Sequence, residues 1–245
     1  MSGFYSCSQE HQIGALRVLA RNALNQYDGA FSEPELIKYR ENAIFSVRDE
    51  EGQRFALRVH RPNYHSDDAL ESELSWMQAL ARDGLPVPGL RLNRDGAAVT
   101  GAPAPRVPET RKVDLLTWVR GTPLSTIEQE RDLSGRNRLH LYRLLGSLMA
   151  RLHRHGATWP RPADFERHDW FSDALGGEEP IWGRFWELPG LTADQRRMLV
   201  SAREEGAEAL ARHPRHDGNS GLIHADMIAD NLMLDGDVIH PIDFD

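Results

Sequence analysis

Cysteine is almost absent from this chain of 245 residues, which contains only Cys7 and therefore forms no internal disulfide. Signal features are missing as well, because the first residues, Met1–Cys7, carry neither a basic stretch nor an apolar core. No apolar run approaches the roughly 20 residues that a membrane-spanning helix needs. These absences predict a cytoplasmic protein without a membrane partner.

Positive charge is also scarce, since 29 Lys and Arg residues stand against 37 Asp and Glu residues and the formal net charge is −8. Proteins that bind nucleic acids neutralise phosphates with clustered cations. The chain has no run rich in lysine or arginine, so nucleic acid is not an expected partner. Its length and its hydrophobic content of 40% suffice for two lobes with cores of their own.

Glycine-rich phosphate loops are missing too. The sequence contains neither Gly-x-Gly-x-x-Gly nor Gly-x-x-x-x-Gly-Lys-Ser/Thr, the two patterns in which backbone amides cradle phosphates. No serine has the Gly-x-Ser-x-Gly context of a hydrolase nucleophile. These absences exclude the two commonest phosphate loops and the common hydrolase motif.

Such residues occur near the carboxyl end. His224 and Asp226 form His-x-Asp, Asn231 follows after four intervening residues, and Asp243 opens a final Asp-Phe-Asp. This spacing is typical of kinase-type phosphoryl-transfer enzymes. A hydroxyl that attacks phosphorus needs positioning more than a strong base, so Asp226 is predicted to orient it. Oxygens of Asn231 and Asp243 suit Mg²⁺, whereas His224 is predicted to hydrogen-bond nearby backbone as a scaffold residue.

Two short apolar runs, Leu232–Leu234 and Val238–Ile239, flank the turn signal Asp235-Gly236 and predict a β-hairpin. The hairpin would return Asp243 to the neighbourhood of the other polar residues. Taken singly, each Asp or Asn could equally be an ordinary turn residue. Their joint spacing favours the catalytic interpretation.

The amino-terminal half contains two predicted strands, Ala43–Val47 and Phe55–Val59, joined by a polar turn. In the second strand Ala56 and Arg58 share one face, opposite the apolar residues. A small residue and a cation on one face suit a purine and its phosphates. The alternative is that Arg58 faces solvent from an edge strand.

A helix is predicted to follow, with Ser66 as its N-cap and with Gly84 and Pro86 ending it. At about 100° per residue, Glu73 falls within the apolar stripe of this helix. A carboxylate on the buried side needs a partner, and Arg58 is the obvious candidate. The alternative is that Glu73 only borders the core and reaches water.

Together these residues resemble the aminoglycoside phosphotransferase and choline kinase-like family, relatives of the protein kinases that mostly phosphorylate small-molecule alcohols. The resemblance runs from about residue 39 to the end of the chain. Leu222–Asp226 resembles the strand and catalytic loop of that family. The chain departs from the family at Ala225, where many members carry Gly, and at Met227–Ala229, which replaces a loop that often has Pro or Gly. It also has Arg58 where kinases carry a lysine.

The resemblance implies an α+β, bilobal protein kinase-like fold. Residues 1–118 would form a small nucleotide-binding lobe with an antiparallel sheet, and residues 119–245 a mainly helical catalytic lobe. ATP or GTP with Mg²⁺ would be the donor, and the acceptor would be a hydroxyl of a small molecule such as an amino alcohol, an amino acid or a sugar-like compound. Because family members usually continue with several helices, the second lobe is expected to be incomplete after Asp245. The alternatives are a protein Ser/Thr kinase and a catalytically silent nucleotide-binding module.

The resemblance also implies roles for single residues. Asp226 would orient the acceptor, and Asn231 and Asp243 would bind magnesium. The implied nucleotide site comprises Asn42, Ala56, Arg58, Glu73, Thr117, Trp118 and Val119. Asn42 lies in a stretch that resembles the family's loop near the phosphates, although a plain turn explains it equally well. The run Leu115–Val119 is predicted to be a strand that leads into the hinge, where main-chain groups would hydrogen-bond adenine.

Overall fold

A computed structural model of the protein describes residues 3–130, 136–213, 215–216 and 218–244. The chain divides into two compact units, one made of residues 1–165 with 223–245 and the other of residues 166–222. Among the described residues, no helix combines the length and the apolar character required to cross a membrane.

A five-stranded antiparallel sheet dominates the first unit, with strand order β1-β2-β3-β5-β4. Its strands are β1 (Glu35–Tyr39), β2 (Ala43–Arg48), β3 (Arg54–Val59), β4 (Thr100–Ala102) and β5 (Arg111–Thr117). The pairing of Phe55 with Thr117 and of Arg58 with Asp114 fixes the register of β3 against β5. The predicted strands β2 and β3 are confirmed. The predicted strand Leu115–Val119 begins earlier, at Arg111, and ends at Thr117.

Helix α1 (Gln9–Leu24) packs against the sheet. Its buried residues join the apolar face of the sheet in one core, which also contains Phe55, Leu57 and Val59 of β3. Ala56, which alternates with these residues, is only half-buried. The alternation along β3 thus follows the predicted division into a core face and an opposite face. A 3₁₀ turn, Phe4–Ser6, precedes α1.

Helix α2 (Asp67–Arg82) begins at Ser66, whose hydroxyl accepts a hydrogen bond from the N–H of Ala69. The helix ends before Gly84, which adopts a left-handed φ of 73°. Glu73 and Trp76, three residues apart, have no exposed surface. The predicted helix is therefore confirmed, and Glu73 belongs to its buried side.

A smaller sheet carries the carboxyl-terminal hairpin. It has the order β6-β7-β8 and consists of β6 (Thr122–Pro123), β7 (Leu232–Asp235) and β8 (Val238–Pro241). Asp235 pairs with Val238, so the predicted hairpin turn around Gly236 is present. Helices α3 (Leu124–Glu130) and α4 (Arg136–Thr158) and the 3₁₀ turn Ala229–Asn231 complete the first unit.

The second unit contains α5 (Ser172–Gly176), a 3₁₀ turn (Phe185–Glu187) and α6 (Ala193–Ala211). A capping box between Thr192 and Gln195 starts α6. The guanidinium of Arg203 lies 4.2 Å from the ring centre of Trp186. The unit thus has its own helix-to-loop contacts.

Candidate active site

Arg58 is the centre of a buried ion-pair group on β3. Its Nη1 atom donates to Oε1 of Glu73 over 2.8 Å, and the two side chains are 5% and 0% exposed. The predicted contact between this cation and α2 is therefore present, and Arg58 does not face solvent. A buried carboxylate without such a partner would be strongly destabilising.

A second carboxylate, Asp114 of β5, holds the other edge of the same guanidinium. Nε of Arg58 donates to Oδ1 and Oδ2 of Asp114 over 2.9 and 3.2 Å, and Nη2 donates to Oδ2 over 2.8 Å. Burial alone raises the pKa of Asp114, but the charges of Arg58 and His60 outweigh it and leave this pKa below its usual range. Asp114 is therefore ionised at neutral pH.

His60 extends this group. Its Nε2 atom lies 2.7 Å from Oδ2 of Asp114, and the histidine side chain is 4% exposed. His60 lies just after the end of β3, two residues beyond Arg58, and both side chains contact Asp114. The Nδ1 atom of His60 has no hydrogen-bond partner in the part of the chain that the structure describes.

Asn42 lies just before β2 and is buried. Its Oδ1 atom accepts a hydrogen bond of 3.0 Å from the N–H of Arg61, which lies two residues after the end of β3. The side chain therefore fastens the loop before β2 to the segment after β3. This contact fits the turn interpretation and gives the loop a defined position.

The segment expected to bind adenine has fewer available donors than the sequence predicts. The N–H of Thr117 donates to the carbonyl of Gly89 over 2.7 Å, and that of Trp118 donates to the carbonyl of Arg54 over 3.0 Å. Both groups are thus engaged within the protein. The guanidinium of Arg54 also lies 3.5 Å from the ring centre of Trp118, which fixes the start of this segment. The N–H of Val119 forms no hydrogen bond among the described residues.

His224 is buried and connects two backbone segments. Its Nδ1 atom accepts from the N–H of Asp226 over 3.3 Å, and its Nε2 atom lies 3.1 Å from the carbonyl of Ile242. Since a backbone N–H can only donate, Nδ1 carries no proton and Nε2 donates to Ile242. The imidazole is therefore the neutral Nε2–H tautomer. Its contacts with the backbone agree with the predicted role of His224 as a scaffold residue.

Asn231 fixes the side chain of Asp226. Its Nδ2 group donates to Oδ2 of Asp226 over 2.8 Å and to the main-chain oxygen of the same residue over 3.1 Å. Asn231 is buried whereas Asp226 is exposed. One carboxylate oxygen is thus held from inside the protein while the side chain as a whole faces outward. Ala225, just before it, adopts a left-handed φ of 70°.

Asp243 is placed next to this pair by the hairpin. The N–H of Ile242 donates to the carbonyl of Asn231 over 2.9 Å, and Asp243 follows immediately with a left-handed φ of 66°. Asp tolerates this conformation better than most residues. The backbone therefore brings Asp226, Asn231 and Asp243 into one region, while Asp245 lies outside the described residues.

The donor groups in this region fit a hard divalent cation. No group of three His, Cys, Asp or Glu side chains is placed to hold a metal among the described residues. Asn231 directs its Nδ2 group to Asp226, and its Oδ1 atom accepts no hydrogen bond within the described chain. With a carboxylate from Asp243, it offers the oxygen ligands that Mg²⁺ prefers.

Two residues of the ion-pair group around Arg58, Asp114 and His60, were not predicted from the sequence. Asp114 interrupts the apolar run Val113–Leu116, and a polar residue inside such a strand was the available signal. His60 lies just after the end of β3. Neither could be joined to Arg58 without the register of β5, which local patterns do not determine.

Comparison with protein families gives one match that covers most of the chain. Residues 37–245 match the profile described as the phosphotransferase enzyme family. No curated protein matches the sequence.

Comparison with solved structures gives a similar result. A microcompartment-associated aminopropanol kinase is 33% identical, with a TM-score of 0.76 over 92% of this chain and 68% of its own. An amicoumacin kinase, solved with AMP-PNP, Ca²⁺ and its ligand, is 18% identical, with a TM-score of 0.72 over 97% of this chain and 64% of its own. The macrolide 2′-phosphotransferase of Brachybacterium faecium is 19% identical, with a TM-score of 0.52 over 92% and 70%. The chain thus spans about two thirds of the length of these proteins, and its α+β fold is of the kinase-like type.

Proposed function

Since the chain belongs to the phosphotransferase enzyme family, we propose that it transfers the γ-phosphoryl group of ATP, with Mg²⁺, to a hydroxyl of a small molecule. The observation that carries this proposal is the contact between Asn231 and Asp226 beside the backbone of Asp243. The proposal divides the chain into a nucleotide-binding lobe, residues 1–118, and a catalytic lobe, residues 119–245.

Asp226 orients the acceptor in this mechanism. Asn231 holds Oδ2 of Asp226, which leaves Oδ1 as the acceptor for the proton of the attacking hydroxyl. That hydrogen bond directs a lone pair of the hydroxyl toward the γ-phosphorus. As the new O–P bond forms, the bond to the β–γ bridging oxygen breaks, ADP leaves, and the carboxylate of Asp226 takes the hydroxyl proton. His224 takes no proton, because its two nitrogens are engaged with the backbone of Asp226 and Ile242.

Asn231 and Asp243 are the residues that would hold Mg²⁺. When bound, the ion neutralises charge on the nucleotide phosphates and on the transferring group. The buried amide of Asn231 would then serve two partners, since its nitrogen orients Asp226 while its oxygen would be a ligand of the ion. Loss of either function would impair transfer.

Arg58 and Val119 are proposed to contact the nucleotide. Arg58 supplies positive charge near the phosphates from β3, and Glu73 anchors it to α2. Val119 supplies the main-chain donor for the base, since Thr117 and Trp118 already donate within the protein. Half-buried Ala56 is proposed to contact the purine from β3.

An amino alcohol is the acceptor class that we favour. The solved structure that is 33% identical to this chain is that of an aminopropanol kinase. The protein's net charge of −8 also suits a cationic acceptor. GTP in place of ATP remains the alternative donor.

The direct test combines nucleotide binding with transfer. Calorimetry should detect Mg·ATP binding, and radiolabel from [γ-³²P]ATP should appear on 1-amino-2-propanol. Asp226→Asn should abolish this transfer while Mg·ATP affinity stays within about threefold, because the change removes the proton acceptor but none of the proposed cation ligands. Asp230→Asn, the same change at an exposed position of the same loop, serves as the matched control.

Other outcomes identify the alternatives. Label on protein and not on the amino alcohol would favour a protein Ser/Thr kinase. Binding of Mg·ATP without any transfer would favour a silent nucleotide-binding module. Full turnover by Asp226→Asn would exclude the role given to Asp226.

A further inference from the structure

Asp114 and Arg58 face each other directly across strands β3 and β5. Facing residues of antiparallel strands project to the same side of the sheet. Asp114 accepts hydrogen bonds from the Nε–Nη2 edge of Arg58 over 2.8 to 3.2 Å, while Glu73 accepts from Nη1. Two carboxylates from two different elements thus determine both the position and the plane of one guanidinium.

The geometric requirement differs between an arginine and a lysine. A lysine ammonium is a compact point charge that one carboxylate can hold, whereas a guanidinium is a planar fork whose rotation about its stem must also be set. A carboxylate bound to Nη1, such as Glu73, restrains this rotation only weakly. Asp114 restrains it further, because it binds the opposite edge of the guanidinium through two nitrogens.

We propose that Asp114 is a positioning residue that adapts this phosphate site to an arginine. The proposal rests on the function proposed above, in which Arg58 contacts the nucleotide phosphates. Asp114 acts on the nucleotide only through Arg58, and His60 steadies Asp114 by its contact of 2.7 Å. The site therefore needs both carboxylates where a lysine would need one.

Asp114 also has an effect of the opposite sign. The carboxylate of Asp114 itself adds a negative charge to the site, and a negative charge close to phosphates weakens nucleotide binding. Orientation of the fork outweighs this repulsion as long as residue 58 is arginine. With lysine at position 58, only the repulsion between Asp114 and the phosphates remains. Removal of the Asp114 charge should then no longer weaken the binding of Mg·ATP.

A cycle of four proteins tests this reasoning through the dissociation constant of Mg·ATP. The proteins are the wild type, Asp114→Asn, Arg58→Lys and the double variant. Asp114→Asn should weaken binding about fivefold or more in the wild-type background, and by less than about twofold, or not at all, in the Arg58→Lys background. Asp67→Asn, which alters an exposed partner of Lys112 on β5, should leave the constant unchanged. Near-ultraviolet circular dichroism verifies that each variant is folded.

Each remaining result overturns the proposal. Equal weakening in both backgrounds would mean that Asp114 supports the fold in general. Tighter binding in both backgrounds would mean that repulsion is its only effect on the nucleotide. If the wild type binds no Mg·ATP, the proposed function fails first and the role of Asp114 toward a nucleotide fails with it. If Asp114→Asn does not fold, Arg58→Lys can still be compared with the double variant. A double variant that binds Mg·ATP more than about twofold more weakly than Arg58→Lys contradicts the proposal.

Discussion

The ring of Phe244 packs edge-on against the indole of Trp76, with ring centres 5.5 Å apart. Trp76 lies one helical turn beyond Glu73 on α2, and Phe244 directly follows Asp243. The contact therefore joins the helix that anchors Arg58 to the segment that carries a proposed magnesium ligand. Trp76 also donates from Nε1 to Nδ1 of His155 over 3.3 Å, which ties α2 to α4.

Replacement of Trp76 should destabilise the protein in proportion to the ring that is lost. Trp76→Ala leaves a cavity beside Phe244 and should lower the free energy of unfolding by about 3–5 kcal/mol. Trp76→Phe keeps an aromatic ring and should cost less. Urea denaturation measures both changes. Trp182→Ala, at a ring that is 63% exposed, is the matched control, and an equal loss there would contradict the assignment of Trp76 to the core.

Ala225 should be improved by glycine. Its φ of 70° is left-handed, and such a conformation costs an L-residue about 1–2 kcal/mol. Glycine removes this strain but loses about 0.5–1 kcal/mol through its freer unfolded chain. Ala225→Gly should therefore raise the free energy of unfolding by about 0.5–1 kcal/mol in urea denaturation. A clear loss of stability would show that the Ala225 backbone carries no strain.

Asn231→Asp separates the two functions given to this amide. The new carboxylate retains an oxygen for the cation but lies where Nδ2 now donates to Asp226 over 2.8 Å. Repulsion between the two carboxylates should displace or protonate Asp226 and lower turnover at neutral pH about tenfold or more. Affinity for Mg·ATP should remain within about threefold of the wild type.

Steady-state kinetics and calorimetry check this prediction side by side. Asn25→Asp, the same change at an exposed site beyond α1, controls for the added charge. Wild-type turnover in Asn231→Asp would mean that Asp226 needs no amide to hold it.

Acid should weaken the contribution of Asp114 to the free energy of unfolding. Its pKa is depressed in the folded protein, so its stabilising effect is fully present above the unfolded pKa of about 3.9 and is lost as pH falls through the lower folded value. The stability difference between the wild type and Asp114→Asn should therefore shrink below about pH 4. Urea denaturation at several pH values measures it, and a difference that stays constant into acid would contradict the depressed pKa.

Local patterns were sufficient for much of this site. The cap of Ser66 and the periodicity of α2 predicted that Glu73 is buried, and the Asp-Gly turn predicted the hairpin that returns Asp243 toward Asn231. These features depend on residues close in sequence. Caps, turns and apolar stripes each depend on a short segment of the sequence, so a short segment is enough to predict them.

Contacts between distant segments were not predictable in the same way. Asp114 meets Arg58 only because β5 pairs with β3 in one particular register. The main-chain N–H groups of Thr117 and Trp118 donate to the carbonyls of Gly89 and Arg54. A pattern of side chains does not predict such main-chain hydrogen bonds. Sequence therefore identified the residue types of the site, while the set of partners around Arg58 required the assembled sheet.

The most direct test of the proposed cation site is the affinity of the protein for ATP with and without Mn²⁺, measured by isothermal titration calorimetry. The wild type should bind ATP at least about tenfold more tightly with Mn²⁺ than without it, and Asp243→Asn should remove most of that gain. Asp235→Asn, in the hairpin turn, should retain it. Equal binding of ATP with and without the cation, or a full gain in Asp243→Asn, would contradict a cation site formed by Asn231 and Asp243.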